Sequence, residues 1–343
     1  MDPVETYLAE LVRIRATGGG VPETSYYGAF ANLLNEIGAS LKPRIRCVVN
    51  LANRGAGMPD GGLFTAHQFE NAGDMEPLKG QSPERGVIEI KPVEDDAWFT
   101  ADSEQVSKYW RHYGQVLVTN YRDFVLIGKD ASGKSVLLET FRLAPDEAAF
   151  WEMAAHPRGA ARLQGERLIE YLKRVMLYRA QIGNPEDVAW FLASYARDAR
   201  ARLEQAADLP ALENLKKGIE DALGMTFDGE KGDHFFRATL IQTLFYGVFS
   251  SWVLWRRDHW GDAKARFNWH EAGWTLHVPM IASLFSQIAT PQKLKPLHVD
   301  EALDWAGDVL NRVDQTAFFS KFEEEHAVQY FYEPFLKAYD PEL

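Results

Sequence analysis

Cysteine is nearly absent from this 343-residue chain, which has only Cys47. One thiol builds neither an internal disulfide nor a thiolate zinc site, and it fits a reducing cytosol. Basic charge is also short: 37 Lys and Arg stand against 49 Asp and Glu, a net charge of −12. Chains that hold nucleic acid unaided show a basic footprint. Residues 1–143 carry 15 basic and 19 acidic side chains, so weak DNA affinity is expected of this chain alone. There is no Gly-x-x-x-x-Gly-Lys-Ser/Thr loop and hence no nucleotide-binding P-loop. The nearest segment, Gly133-Lys134-Ser135, reads as a hairpin turn. The N-terminus opens on a charged amphipathic helix without the apolar run of a signal peptide. His259, His270 and His277 fall at no ligand spacing and read as packing or surface residues. One uncharged stretch, 238–255, approaches membrane-spanning length. Gln242, Thr243, Ser250 and Ser251 lower its hydrophobicity, so a buried core helix is expected there and no membrane partner.

What is present builds cores. Hydrophobic residues make up 46% of the chain, with ten Trp and twenty Phe, and the length suggests two domains. Periodicity predicts helices at 3–16 and 24–37, the second ending at Gly38. Strands follow at 44–51, at 58–64 opened by Pro59, and at 86–91. The aperiodic stretch 66–85 between them reads as a long loop, of a length that is usually functional or disordered. A helix at 102–113 and strands at 115–119, 124–128 and 135–142 complete a mixed α/β unit. From about 143–150 onward helical periodicity takes over, at 146–156, 165–178, 185–206, 210–223, 233–258, 276–289, 299–312 and 316–338.

Three short pieces carry chemistry: Gly57-Met58-Pro59-Asp60, Glu89-Ile90-Lys91, and Gln105 with Tyr109. Glu89 and Lys91 lie two apart on a strand and share a face, while Ile88 and Ile90 enter the core. Pro92 biases Lys91 toward an extended backbone. Asp60 and Glu89 supply the oxygen donors that Mg²⁺ takes, with the Ile90 carbonyl as a third oxygen. Lys91 is placed to orient a water or to steady developing charge. Gln105 and Tyr109, at i and i+4, share a helix face that can lean over such a site. Equally, Asp102 could cap that helix with Gln105 as its capping-box partner, leaving Tyr109 as packing. Glu23 and Glu36 are candidates for a further acid on the early helix. Lys42, Arg44, Arg46 and Arg54 are candidate phosphate contacts, with a solvated strand face as the alternative.

With these residues in view, the chain resembles the PD-(D/E)xK nuclease superfamily, and within it the RecB-like members, although their Gly-His-x-x-Pro first motif lacks its His here. The stretches SYYGAFANLLNEIG, GAGMPDGGLFTAHQF, GVIEIKPVEDDAWFTADSEQVSKYW and YGQVLVTNYRDFVLIG are similar to the N-terminal nuclease of single-chain restriction–modification enzymes. The ending YFYEPFLKAYDPEL resembles the segment before their N6-adenine methyltransferase. The resemblance implies a restriction-endonuclease-like core, a mixed sheet flanked by helices, over residues 1–145, and an all-α helical connector over 146–343. It implies an Mg²⁺-dependent DNA endonuclease, with Mn²⁺ able to substitute, in a restriction–modification or phage-defence enzyme of the prokaryotic cytoplasm. The implied catalytic residues are Asp60, Glu89, Lys91, Gln105 and Tyr109, and the implied metal ligands are Asp60, Glu89 and Glu23. Double-stranded DNA is the expected partner, together with a C-terminal methyltransferase and a target-recognition region absent from this chain. Two other expectations stand beside it: a non-catalytic helical coupling module with a nuclease-like fold, and a nuclease acting on RNA.

Overall fold

The computed structural model describes residues 2–53, 55–70, 76–129, 133–180, 182–205, 210–262, 264–276, 285–286, 288–322 and 331–339. The chain forms two units, Met1–Ala180 and Gln181–Leu343. The first contains a six-stranded sheet: β1 (Ile45–Val49), β2 (Gly61–Thr65), β3 (Val87–Ile90), β4 (Val116–Thr119), β5 (Asp123–Lys129) and β6 (Ser135–Arg142). The spatial order follows the sequence order. Only β3 and β4 pair in parallel; the other neighbours are antiparallel. A parallel pair needs a crossover connection, which α4 (Ala97–Ala101) and α5 (Glu104–Tyr113) supply.

Both faces of the central strands are buried, which explains their almost unbroken apolar sequences. On one face Val87, Val116, Val118, Val125 and Ile127 pack with Val106, Tyr109 and Tyr113 of α5. The other face is aromatic. Phe124 and Phe141, paired across β5 and β6, meet Tyr171 of α8 (Glu166–Leu177). Phe124 also meets Phe30 of α2 (Tyr27–Ala39). Tyr7 of α1 (Pro3–Ala16) in turn reaches Phe30. The helices α6 (Glu147–Ala154), α7 (Pro157–Ala160) and α8 pack against α1 and α2. The first unit therefore runs past the change in sequence character near 145.

Several elements differ from the periodicity. The second helix starts with a 3-10 turn at Thr24–Tyr26 and continues to Ala39, where Ser40 is the cap. Gly38 lies inside it because a Cβ there would stand 2.2 Å from the Ile45 carbonyl oxygen; it lets β1 pass close instead of ending the helix. The expected helix at 102–113 is two helices. Asp96 accepts hydrogen bonds from the Trp98 and Phe99 amides to start α4, and Ser103 accepts from the Val106 amide to start α5. Asp102 is the C-cap of α4, so the Asp102–Gln105 capping box does not form. β2 begins two residues after Pro59, although Asn50 and Leu51 donate to the Asp60 and Pro59 carbonyls and extend the pairing. The stretch 66–85 is no structureless loop where it is described. It opens with α3 (Ala66–Phe69), and Gln68 bonds to Gln81 and to the Ser82 carbonyl.

In the second unit the regular elements among the described residues are helices, joined by turns and irregular segments, apart from one isolated bridge, Ile182 to Val313. Its main elements are α9 (Pro185–Gln205), α10 (Pro210–Leu223), α11 (Gly229–Asp258) and helices Val299–Leu310, Gln315–Phe319 and Glu333–Tyr339. α11 has 30 residues and, by length and composition, is long and apolar enough to cross a membrane; its most apolar window is 61% buried within the protein. Phe249 stacks on Phe331, and Trp252 meets Phe318 edge-on. That aromatic packing accounts for the uncharged run as a core helix. The helix expected at 276–289 falls largely outside the described residues. The one expected at 316–338 is interrupted after Phe319, and residues 323–330 lie outside the description.

One buried charge network fixes the turn between β4 and β5. Asp123 is fully buried and accepts from Arg122 Nε at 2.9 Å and Arg142 Nε at 2.7 Å. Its own amide donates to Asn120 Oδ1 at 2.6 Å. Removing one partner of a buried pair strands the other charge. Asp123→Ala is therefore expected to cost about 3–5 kcal/mol in urea unfolding; a loss under about 1 kcal/mol, the range of a surface ion pair, would contradict the role given to this network.

Candidate active site

β2 and β3 pair with Gly61 opposite Ile88 and Gly62 opposite Val87. Continuing that register by one residue brings Asp60 across from Glu89. Hydrogen bonds complete the approach. The Ile90 amide donates to Asp60 Oδ2 at 2.7 Å, so the carboxylate of one strand is held by the backbone between Glu89 and Lys91. Lys91 Nζ donates to Glu89 Oε1 at 2.8 Å. Its backbone amide donates to the Thr119 carbonyl at 2.8 Å, which ties the end of β3 to β4. Asp60, Glu89 and Lys91 are therefore brought together.

Glu89 is 2% exposed. It pairs in register with Val118, so it shares the sheet face that packs on α5. Oε2 of Glu89 is buried and has no hydrogen-bond partner. Burial pushes the Glu89 carboxyl up to about 7, with the Asp60 and Glu23 charges adding to the rise and Lys91 opposing it. For Lys91, burial acts to lower its pKa, but the hydrogen bond to Glu89 and the charges of Glu89, Glu23 and Asp60 raise it above the ordinary lysine value. The ammonium gains from its carboxylate partner, whereas the carboxylate loses more to burial than it gains.

Gln105 Nε2 donates to the Tyr109 hydroxyl at 3.1 Å, so both lie where helical spacing sets them on α5. Burial, and then the Glu89 and Asp60 charges, raise the Tyr109 phenol above its ordinary value. Gly57 backs onto this ring. A Cβ there would stand 3.2 Å from Tyr109 Cε1, and its φ of +116° suits only glycine. The Gly57-x-x-Asp60 piece thereby wraps the tyrosine of the third motif.

From the α2 side comes a residue the sequence did not single out. Tyr27 donates its hydroxyl to Asp60 Oδ1 at 2.6 Å and lies 3.3 Å from Glu23 Oε1. Burial and the Asp60 hydrogen bond raise its pKa well above the tyrosine range. A tyrosine at the start of an amphipathic helix carries no signal that separates a working hydroxyl from core packing; its position four residues after Glu23 is the one hint. Glu23 is half-buried at this edge, whereas Glu36 is exposed and lies about 14 Å beyond Tyr27 along the axis of α2.

The basic candidates sit elsewhere. Lys42, Arg44 and Arg46 alternate with buried Ile45 and Cys47 and are exposed. Arg44 is ion-paired with Glu70, and the Arg46 guanidinium lies over the Phe69 ring. Both partners come from the stretch expected to be loop, so these two cations are already engaged. Arg54 lies outside the described residues.

Among the described residues, no three His, Cys, Asp or Glu side chains are gathered as a metal cage. A hard cation such as Mg²⁺ needs less, one or two carboxylates with retained waters. The orphaned, buried Glu89 Oε2 beside Asp60 is an oxygen donor set of that kind, so the residues present fit such an ion.

No protein-family model matches the chain, and no curated protein matches it. Among solved structures it is similar to a cryo-EM structure of a DrdV–DNA complex, at 20% identity with a TM-score of 0.31. That likeness covers 99% of this chain and 29% of the other, so this chain spans under a third of that protein's length. At this level the similarity carries no functional weight.

The Glu89 carboxyl gives a signed expectation. Its folded-state value of about 7 lies above the ordinary 4.5, so between those values the folded chain holds the proton that the unfolded chain has lost. The stability contributed by neutral Glu89 is full below pH 4.5 and is lost as pH rises through 7. The unfolding free energy of metal-free wild type relative to Glu89→Gln should fall by about 3 kcal/mol across that window. A difference that stays flat with pH would show that Glu89 is not held in its neutral form.

Proposed function

We propose that this chain is an Mg²⁺-dependent DNA endonuclease portion of a restriction–modification or phage-defence enzyme, with Asp60, Glu89 and Lys91 as its hydrolytic centre. The observation that supports this most directly is the hydrogen bond from Ile90 N–H to Asp60 Oδ2, which sets one carboxylate against the Glu-x-Lys strand. In this proposal Asp60 and Glu89 hold the cation through their carboxylate oxygens. When bound, the ion supplies Lewis acidity and neutralises charge on the scissile phosphodiester.

The chain's own groups do the rest. With Glu89 engaged as a cation ligand, Lys91 would be available to donate hydrogen bonds to the attacking water or to the phosphate oxygens. Its raised pKa keeps it a cation, a donor and not a general base, at neutral pH. Tyr109 and Gln105 wall the site from the α5 side, with the phenol kept neutral near the acidic pair. The acidic balance of the chain, and the engagement of Arg44 and Arg46 by Glu70 and Phe69, support a reading in which most of the affinity for double-stranded DNA comes from a target-recognition partner. A methyltransferase partner belongs to the same proposal.

The test is a matched cleavage assay on supercoiled DNA and on RNA, with the chain supplemented by whatever recognition region accompanies it. Lys91→Ala and Asp60→Ala should each lower Mg²⁺-dependent DNA scission by at least about a hundredfold, a size typical of losing a charge-stabilising group, while the circular-dichroism melt is retained. Scission undiminished in Lys91→Ala would remove this site from the chemistry. A folded wild type that gives no heat on titration with Mn²⁺ would favour the non-catalytic coupling role.

A further inference from the structure

The hydroxyl of Tyr27 stands between two acids and has one proton to give. At 2.6 Å from Asp60 Oδ1 it makes a short, charge-assisted bond; at 3.3 Å from Glu23 Oε1 it makes only a weak one. The two carboxylate oxygens can be no further apart than the sum of those distances, yet Glu23 does not join Asp60 and Glu89 in any three-acid cage among the described residues. Its charge is felt at Glu89, after that of Asp60, and at Lys91.

The backbone of Glu23 is pinned independently. Its carbonyl accepts the Tyr121 hydroxyl, and the Tyr121 carbonyl accepts the Tyr7 hydroxyl at 3.1 Å. Tyr121 adopts a φ of +69° in the turn that follows β4, a conformation non-glycine residues hold only under constraint. Thr119, the last residue of β4 before that turn, accepts the Lys91 amide at its carbonyl. Glu23 is thus built to stay beside Tyr27, and Tyr27 to orient Asp60.

We propose that Tyr27 is a positioning residue that fixes Asp60 for the divalent cation, and that Glu23 acts through Tyr27 and not as a ligand itself. This rests on the metal-site role given to Asp60 and Glu89 above. A phenol donating to Oδ1 and an amide donating to Oδ2 lock the carboxylate rotation, which leaves the remaining lone pairs fixed in direction. Glu23 stands on the other side of the same hydroxyl at 3.3 Å, a second acceptor that shares in where the Tyr27 ring and its oxygen are held.

The test is calorimetric titration of Mn²⁺ into the full chain as wild type, Tyr27→Phe, Glu23→Gln and the double variant, with thermal melts to confirm folding. Tyr27→Phe removes one oxygen and keeps the ring, so the core contacts of the residue survive. It should weaken Mn²⁺ binding about 10- to 100-fold. Glu23→Gln should weaken it less, and should add nothing in the Y27F background, the non-additivity expected of two residues acting in series. Mn²⁺ affinity unchanged by Tyr27→Phe would overturn the proposal. So would a loss from Glu23→Gln that is equal in both backgrounds, since Glu23 would then act on the ion without Tyr27, as a ligand or through its charge. A folded wild type that binds no Mn²⁺ would instead overturn the metal site itself, and this inference with it.

Discussion

The Asp60 carboxylate accepts the Ile90 amide at 2.7 Å, and through that bond an irregular segment before β2 is fastened to the last residues of β3. Both participants are at strand ends, where the ladder stops using its backbone groups. An amide that would otherwise need water or another strand finds a side chain instead. The rest of the site is arranged around this junction. Glu89 and Lys91 flank the donor, Tyr27 takes the other carboxylate oxygen, and Gly57 leaves room for Tyr109 on the approach to Asp60.

The arrangement is costly as it stands. An almost fully buried carboxylate keeps one oxygen without a partner, and the ammonium of Lys91 beside it is partly exposed. Proteins place such groups where a ligand repays them. A hard divalent cation at Asp60 and Glu89 would satisfy the orphaned oxygen, hold Glu89 ionised at neutral pH, and free Lys91 for a substrate. The Asp123 network differs in kind. There every oxygen is matched by a guanidinium or an amide, as expected of a group that stabilises a turn and does no chemistry.

Much of this was legible in the sequence. The strand Val87–Ile90 declares itself as a short apolar run closed by Pro92, and Glu-x-Lys on one face follows from the two-residue period. The i, i+4 pair Gln105 and Tyr109 meets as the helix dictates. What escaped did so for local physical reasons. Asp96 and Ser103 break one helix into two by capping, a competition that periodicity does not register. Gly38 resembles a helix stop but serves a close approach by Ile45. Glu70 and Phe69, which occupy Arg44 and Arg46, lie in a stretch without apolar periodicity. Tyr27 is core-like in every respect except the direction of its hydroxyl, which only three-dimensional structure reveals.

The most direct measurement is anomalous diffraction from crystals of the metal-free chain soaked in Mn²⁺. A single strong peak in contact with the carboxylates of Asp60 and Glu89, with Lys91 turned away from Glu89, is the predicted result. A folded protein with no peak at that position, and with Lys91 still bound to Glu89, would contradict the account.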